Sequence, residues 1–250
     1  RWDIVERQDF AWLRARARRG TELFDGYRVD HVIGFYRTYV RDAAGVGRFT
    51  PEDPEAQKAL GRKIMQVFLD SGAAILAEDL GTVPDFLRQS LRELGVPGYK
   101  VFRWERDWKT DRHPFLDPRH YAALSVTTTG THDTESLAEW WDTAPHDERI
   151  EALKVPDLAA AGFTADSPFD DRLRDALLAA IFRSGANLVV LPLQDIFGWR
   201  DRINVPGTVG AANWTWRLPF PVGELLTRPD AAERAGFLHA LARESGRVTA

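Results

Sequence analysis

The chain of 250 residues lacks cysteine, so disulfide bonds and thiolate metal sites are excluded. It lacks any apolar run close to the roughly 18 residues that a membrane-spanning helix needs, which predicts no membrane partner. It lacks a signal-peptide pattern, and with the missing cysteines this predicts a cytoplasmic protein. It also lacks a dominant charge: 33 Lys and Arg against 37 Asp and Glu leave a formal net charge of −4, which argues against a nucleic-acid partner.

What the sequence does contain is an alternation of strand-like and helix-like segments. Apolar runs bounded by turn residues predict strands at 23–31, 73–81, 98–104, 124–133 and 186–198. Helical periodicity with cap and stop residues predicts helices at 8–19, 54–72, 83–95, 170–185 and 229–245. Such alternation is typical of parallel strands joined by crossover helices. We therefore expect one α/β domain over residues 1–250, with a surface loop at 155–169 and no second domain.

Acidic residues stand at the ends of four of these predicted strands. They are Asp30 in "RVDH", Glu78 with Asp79 in "AEDLG", Asp133 in "GTHD" and Asp195 in "LPLQDIFG". A buried charge costs several kcal/mol unless it is paired, so charges at strand ends favour a position at a cleft. In a parallel α/β barrel the carboxyl ends of the strands form the mouth that holds the active site. Asp195 is the exception, because a structural role fits it better.

Two chemistries suit carboxylates that converge on one cleft: cleavage of a glycosidic bond by paired carboxylates, or a carboxylate–histidine metal site. In the first, Arg28 lies on the same strand face as Asp30 and would keep that carboxylate ionised. Glu78 follows the apolar run "AAILA", which favours the protonated acid. Asp133, with His31 and His132, would then contact the sugar hydroxyls.

Structural alternatives remain open for each of these residues. Arg28 and Asp30 could form an internal salt bridge, and Glu78 with Asp79 could cap a helix. Asp133 could cap the helix that follows it. A metal-dependent phosphohydrolase would use His31, His132 and Asp133, but its His–Asp pair should lie on a helix, whereas here it follows the β-branched run "SVTTTGT".

The motifs "GYRVDH", "AEDLG" and "GTHD", in this order, resemble those of the α-amylase superfamily, and their wording is similar to that of the 4-α-glucanotransferases, also called amylomaltases or disproportionating enzymes. The segments "VPGYKVFRW", "LSVTTTGTHDTESLAEWW" and "RINVPGTVGAANWTWRLP" (202–219) resemble the same family. Two departures are visible. Many members have "THDND" and "GNW" where this chain has "THDTE" and "AANW", which concerns the acceptor site more than the chemistry.

The resemblance implies a retaining transfer of α-1,4-glucan segments between maltodextrins, with no cofactor and no metal. It implies Asp30 as nucleophile, Glu78 as general acid and base, and Asp133 as the residue that stabilises the transition state. The predicted substrate-binding residues are Arg28, His31, Asp79, Trp104, His132, Asn213 and Trp214. Tyr36, Trp140 and Trp199 are further candidates for stacking on sugar rings, and each of these aromatic residues could equally belong to a core.

The resemblance also implies a (β/α)8 barrel, of which the five predicted strands would be the fourth to eighth. The chain would then be the C-terminal portion of a longer enzyme, and we expect it to be inactive as an isolated fragment. Two other functions remain as alternatives. One is an α-glucan hydrolase of the same superfamily, and the other is a glucan-binding domain without catalysis, which the three intact carboxylates disfavour.

Overall fold

A computed structural model describes residues 1–248. Contacts between residues group the chain into two compact units. Unit 1 comprises residues 1–99 and 124–126, and unit 2 comprises residues 100–123 and the chain from Thr127 onward. The helices within residues 1–248 are all too short or too polar to cross a membrane.

Unit 1 is built on a pair of parallel strands with helices packed around it. The strands of the pair are β1 (Gly26–Val29) and β4 (Ala74–Ala77), in register from Gly26 opposite Ala74 to Val29 opposite Ala77. Strands β2 (Thr38–Arg41) and β3 (Gly47–Thr50) form an antiparallel hairpin. The helices are α1 (Trp2–Arg7), α2 (Ala11–Thr21), α3 (Ile33–Tyr36), α4 (Pro54–Leu69) and α5 (Asp85–Glu93).

Helix α4 supplies much of the core of unit 1. It begins where Asp53 accepts a hydrogen bond from the Ala56 backbone N–H, with Pro54 at the first helical position. Its apolar face buries Ile64 and Met65 completely. Tyr36 is also fully buried against this helix, and its hydroxyl donates to Ser90 Oγ at 2.9 Å. The expectation that Tyr36 stacks on a sugar is therefore wrong.

The remaining elements follow along the chain from Gly98. The strands β5 (Gly98–Val101), β6 (Ser125–Thr128) and β7 (Leu188–Val189) form one sheet in that order. The helices are α6 (Leu137–Thr143), α7 (His146–Ala152), α8 (Pro156–Ala160), α9 (Asp171–Phe182), α10 (Leu193–Phe197) and α11 (Pro229–Glu244). Short 3-10 turns occupy Phe102–Trp104, Pro118–His120 and Val222–Leu226.

The core of unit 2 is aromatic and aliphatic, and it centres on α6 and α9. Trp141 is fully buried, and its indole N–H donates to the Ser167 carbonyl at 2.8 Å. Trp140 is 5% exposed and donates to Glu148 at 2.8 Å, so it is a core residue and not a platform for sugars. Leu173 and Leu177 of α9 complete this cluster.

Several predicted elements differ from those observed. The helix predicted at 8–19 begins at Ala11 and continues through Gly20. Glycine at this position leaves room for the Tyr27 ring, which packs where a side chain at Gly20 would lie. The surface loop predicted at 155–169 contains α8. The strand predicted at 186–198 has only the two residues of β7, and Asp195 lies in α10. The prediction that Asp195 ends a strand is therefore wrong.

Asp195 is held inside unit 2. It is 1% exposed and accepts hydrogen bonds from the Leu137 backbone N–H at 2.6 Å and from the Thr129 hydroxyl. Burial raises the pKa of this carboxyl, while these hydrogen bonds and the charge of Arg103 oppose the rise. The structural role expected for Asp195 agrees with this placement.

Arg247, more than 60 residues further along the chain, hydrogen-bonds the backbone carbonyls at the C-terminal end of α9. Its guanidinium donates to the carbonyls of Phe182, Ser184 and Ala186 at 2.7 to 2.8 Å. We expect Arg247→Ala to lower the free energy of unfolding by about 1.5 kcal/mol, the low end for hydrogen bonds to a charged group, because the residue is only partly buried. Urea denaturation would measure this change. The exposed Arg243→Ala is the control, and an equal loss in both variants would contradict the assignment.

Candidate active site

The carboxylates predicted as nucleophile and acid–base lie side by side in unit 1. Asp30 and Glu78 are the first residues after the last paired positions of β1 and β4. Backbone hydrogen bonds continue the pairing, from Glu78 N–H to the Val29 carbonyl at 2.9 Å and from Val32 N–H to the Glu78 carbonyl at 3.1 Å. Parallel strands present equivalent positions on one face, so both carboxylates lie at the same end of the pair.

The Arg28 guanidinium contacts both carboxylates. Its Nη1 lies 2.7 Å from Asp30 Oδ1, and its Nη2 lies 3.9 Å from Glu78 Oε2. The salt bridge considered as an alternative is therefore present, but it is shared with the second acid. The two carboxylates differ in exposure: 72% of the Asp30 side chain is exposed against 12% for Glu78. An exposed, paired carboxylate suits an ionised nucleophile, and a buried one suits a proton donor.

The Glu78 carboxylate is fixed by backbone donors. The His31 N–H donates to Oε2 at 2.8 Å, and the Leu80 N–H donates to Oε1 at 2.9 Å. His31 has a φ of 46°, in the left-handed region that a residue with a side chain rarely occupies. Backbone strain of this kind persists where the surrounding structure enforces it, and here it aims the N–H at the acid. The His31 residue itself is exposed beside Asp30.

Asp79 faces away from this pair and holds the start of β5. Its Oδ1 accepts from the Tyr99 backbone N–H at 2.8 Å, and its Oδ2 lies 3.4 Å from Arg88 Nε. A side chain at position 98 would meet the Asp79 oxygens at 2.7 Å, so glycine is required there. Because Asp79 is buried with both oxygens engaged, its placement favours a structural role over the predicted binding of substrate.

A second polar cluster, in unit 2, surrounds Asp133. Asn204 donates to Asp133 Oδ1 at 2.6 Å, and His132 Nε2 lies 3.4 Å from Oδ2. Asp133 does not cap α6, because Ser136 is the N-cap and accepts from the Glu139 N–H. The helix-capping alternative for Asp133 is therefore wrong. About two fifths of its side chain is exposed, so one carboxylate edge remains accessible.

Trp214 lies over this second cluster. Its ring centroid is 5.1 Å from that of His132, its residue is 60% exposed, and its φ is 62°. Its backbone N–H donates to the Ile203 carbonyl, and the Asn204 N–H donates to the His132 carbonyl. These bonds hold the segment 202–214 against the loop after β6. An aromatic ring fixed in this way, with one face exposed, can stack on a sugar ring.

The two other residues predicted to bind substrate, Trp104 and Asn213, differ in whether their side chains are free to contact a ligand. Trp104, in the turn after β5, is 40% exposed and keeps a ring available for a ligand. The Asn213 amide instead accepts from the Val205 N–H and donates to the Thr208 carbonyl at 3.1 Å each. It closes its own loop, which favours a structural role over binding of substrate. No group of three or more His, Asp or Glu within residues 1–248 could hold a metal ion.

The model of the 4-alpha-glucanotransferase family matches residues 1–222. The chain belongs to this family. The resemblance predicted from the motifs is thereby confirmed.

The chain is similar to curated 4-alpha-glucanotransferases along most of its length. It is 35% identical to that of Chlamydia caviae over 228 residues, which are 88% of this chain and 42% of the relative. It is 34% identical to that of Thermus thermophilus over 244 residues, which are 94% of this chain and 46% of the relative. The chain therefore spans less than half the length of these relatives.

Two solved structures share the fold. The amylomaltase from Streptococcus agalactiae in complex with acarbose has a TM-score of 0.75 and 23% identity, over 100% of this chain and 47% of that chain. The amylomaltase from Corynebacterium glutamicum has a TM-score of 0.76 and 22% identity, over 98% and 39%. The chain thus has the α/β fold of these amylomaltases.

The segment "THDTE", where this chain departs from many members of the 4-alpha-glucanotransferase family, ends in Glu135. The motifs did not assign a role to this acid. Glu135 accepts from Arg103 Nη1 at 2.8 Å and from Arg202 Nη1 at 2.9 Å. Burial acts to raise the pKa of Glu135, but its backbone hydrogen bond and the two arginine charges outweigh this and lower it. Arg202 also donates to the Asp133 carbonyl at 2.9 Å. Glu135 and Arg202 therefore hold the backbone that carries Asp133. Both stood within segments recognised from the sequence, at 124–141 and 202–219, but neither was assigned a role there.

Proposed function

We propose that the intact protein transfers α-1,4-glucan segments between maltooligosaccharides with retention of configuration at the anomeric carbon. The observation that carries this proposal is the Arg28 guanidinium in contact with both Asp30 and Glu78 at one end of two paired parallel strands. Membership of the 4-alpha-glucanotransferase family supports the choice of substrate and reaction. The α-glucan is the only partner proposed, and no cofactor takes part.

The reaction proceeds by two displacements. In the first, an Asp30 oxygen forms a bond to the anomeric carbon while the glycosidic bond breaks, and Glu78 gives its proton to the leaving sugar oxygen. In the second, Glu78 takes the proton of the acceptor's 4-hydroxyl, whose oxygen bonds to the anomeric carbon as the Asp30 ester breaks. Two inversions give net retention, and each carboxyl returns to its starting state.

The surrounding residues serve these steps electrostatically. Arg28 pairs with Asp30 at 2.7 Å before attack, and Glu78 lies largely buried beside it. Two backbone N–H groups, those of His31 and Leu80, aim the Glu78 carboxylate without any movement of side chains. We assign Asp133 to the stabilisation of the positive charge that develops on the sugar ring, supported by Asn204, which fixes one of its oxygens.

His132, Trp104 and Trp214 complete the proposed contacts with substrate, and His31 lies beside the nucleophile. The proposed architecture is a single (β/α)8 catalytic domain in which β1, β4, β5, β6 and β7 are the fourth to eighth strands. This is supported by the order of elements along the chain and by the likeness to the amylomaltases. A cytoplasmic location, and inactivity of the chain as an isolated fragment, stay predictions.

The test is the product pattern from maltotriose with the intact protein. We expect glucose together with maltodextrins longer than the substrate, with little gain in total reducing ends, because a sugar hydroxyl replaces water as acceptor. Chromatography of the products and a reducing-end assay on the same samples measure the two quantities. A rise in reducing ends that matches the release of glucose would identify a hydrolase and would overturn the proposal.

A further inference from the structure

Tyr99 is the residue of β5 that contacts Arg28. The Arg28 guanidinium carbon lies 5.6 Å from the centroid of the Tyr99 ring. β5 begins beside the end of β4, where the Ala77 N–H donates to the Pro97 carbonyl at 2.9 Å. The Asp79 carboxylate then holds the Tyr99 backbone N–H at 2.8 Å. The backbone that carries the Tyr99 ring is thus anchored without Arg28.

The guanidinium therefore has an aromatic ring as one neighbour and two carboxylates as the others. A cation is attracted to the face of an aromatic ring, and Tyr99 is partly buried, which strengthens that attraction. Burial raises the pKa of the Tyr99 phenol, and the charges of Glu78 and Asp30 also raise it, while the charge of Arg28 and its hydrogen bond with the phenol act to lower it. The phenol consequently stays neutral at neutral pH, and the ring adds no charge to the site.

We propose that Tyr99 is a positioning residue, whose ring keeps the Arg28 guanidinium paired with Asp30 and at a longer distance from Glu78. This inference rests on the function proposed above. Arg28 is 2.7 Å from one acid and 3.9 Å from the other, and the two exchange their negative charge during the reaction. When Asp30 is esterified, Glu78 carries the charge, and an unrestrained guanidinium would move toward it.

Such a movement would harm the second displacement, because a guanidinium paired closely with Glu78 makes that carboxylate a weaker base for the acceptor hydroxyl. In the free enzyme the same movement would take its closest cation away from Asp30. The groups that face Arg28 within unit 1 are these two carboxylates and the Tyr99 ring with its hydroxyl, while Asp79 is paired with Arg88.

The experiment compares Tyr99→Leu, which removes the ring, with Tyr99→Phe, which keeps it. The measurement is the pH profile of kcat/KM for maltotriose transfer by the intact protein. We expect Tyr99→Leu to narrow the profile from both sides, each limb by about half a pH unit, the size expected from one lost cation–π contact. The acid limb should move up because Asp30 loses its close cation, and the alkaline limb should move down because the guanidinium comes closer to Glu78. Tyr99→Phe should keep both limbs of the wild-type profile.

Tyr39→Leu is the matched control, because Tyr39 is an exposed tyrosine of the β2–β3 hairpin that packs against Phe49. Tyr99→Met gives the same test if the leucine variant fails to fold. Unchanged limbs in Tyr99→Leu or Tyr99→Met, even with a lower rate, would reduce Tyr99 to a packing residue and overturn the inference. Equal narrowing in Tyr99→Phe would do so as well, since it would point to the hydroxyl. The proposed function fails separately, if the wild-type protein transfers no glucan.

Discussion

Asp30→Asn in the intact protein is expected to reduce the turnover of maltotriose by at least about a thousandfold. The reason is that an amide cannot form the covalent ester through which the sugar passes. Initial rates of glucose release at saturating maltotriose measure the effect. The substitution removes one partner of Arg28 but leaves an exposed side chain of the same shape, so folding should be preserved.

Glu78→Gln is expected to lose transfer from natural substrates by about a hundredfold or more, the usual contribution of a general acid. It should still react with a donor whose leaving group needs no proton, such as α-maltosyl fluoride, because Asp30 is intact. The intermediate would then accumulate, since no base activates the acceptor. Intact-protein mass spectrometry should show one added maltosyl group on Glu78→Gln and none on Asp30→Asn.

Asp25→Asn is the matched control, because Asp25 is an exposed aspartate just before β1. Its turnover should equal that of the wild type. Two results would contradict the assignment of roles: more than a few per cent of activity in Asp30→Asn, or a maltosyl adduct on that variant.

The proximity of Asp30 and Glu78 in the candidate site was predictable from the sequence, because each follows a strand directly. Asp30 and Glu78 each stand at the end of a predicted strand, and pairing of those strands in parallel brings both to the same end of the sheet. The partnership of Arg28 with Asp30 follows from the two-residue period of a strand. The second contact of Arg28, with Glu78, depends on the register between β1 and β4, which local patterning does not encode.

Asp79 and Asp195 have hydrogen-bond partners that local reasoning does not identify. Asp79 follows Glu78 and Asp195 follows Gln194, each shortly after an apolar run, and both turn inward to accept backbone N–H groups from distant segments. The apolar run before Asp195 is too short for its pattern to distinguish a strand from a turn that leads into a helix. In the structure β7 ends at Val189, and Pro192 is the N-cap of α10, which contains Asp195. The sequence around Asp79 does not indicate that its partner is the Tyr99 N–H, and the sequence around Asp195 does not indicate that its partner is the Leu137 N–H.

Aromatic residues present the same difficulty in another form. Tyr36, Trp140 and Trp214 were all candidates for stacking on a sugar. The sequence identifies each of them only as an aromatic residue and does not show which are buried. Tyr36 and Trp140 are buried, and Trp214 is 60% exposed. Burial depends on which helices pack over a residue, and that is a property of the tertiary structure.

Gly61→Ala is expected to destabilise the protein by about 3 kcal/mol, the upper end for overpacking a core. A Cβ at this position would lie 2.2 Å from two carbons of the Tyr36 ring, far inside contact distance. The ring has no free space to enter, because Tyr36 is fully buried and its hydroxyl is hydrogen-bonded to Ser90. The clash should outweigh the roughly 1 kcal/mol by which alanine is favoured over glycine inside a helix such as α4.

The same substitution at Gly236 separates packing from helix propensity. Gly236 lies inside α11, is exposed, and would place its Cβ with nothing within 4 Å. Gly236→Ala should therefore raise the free energy of unfolding by about 0.5 to 1 kcal/mol. Urea denaturation of both variants, with midpoints and slopes compared, measures the two effects. If Gly61→Ala proved as stable as the wild type, α4 would have to stand further from Tyr36 than it does here. Opposite signs for one chemical change would instead show that α4 packs against the Tyr36 ring so closely that position 61 requires glycine.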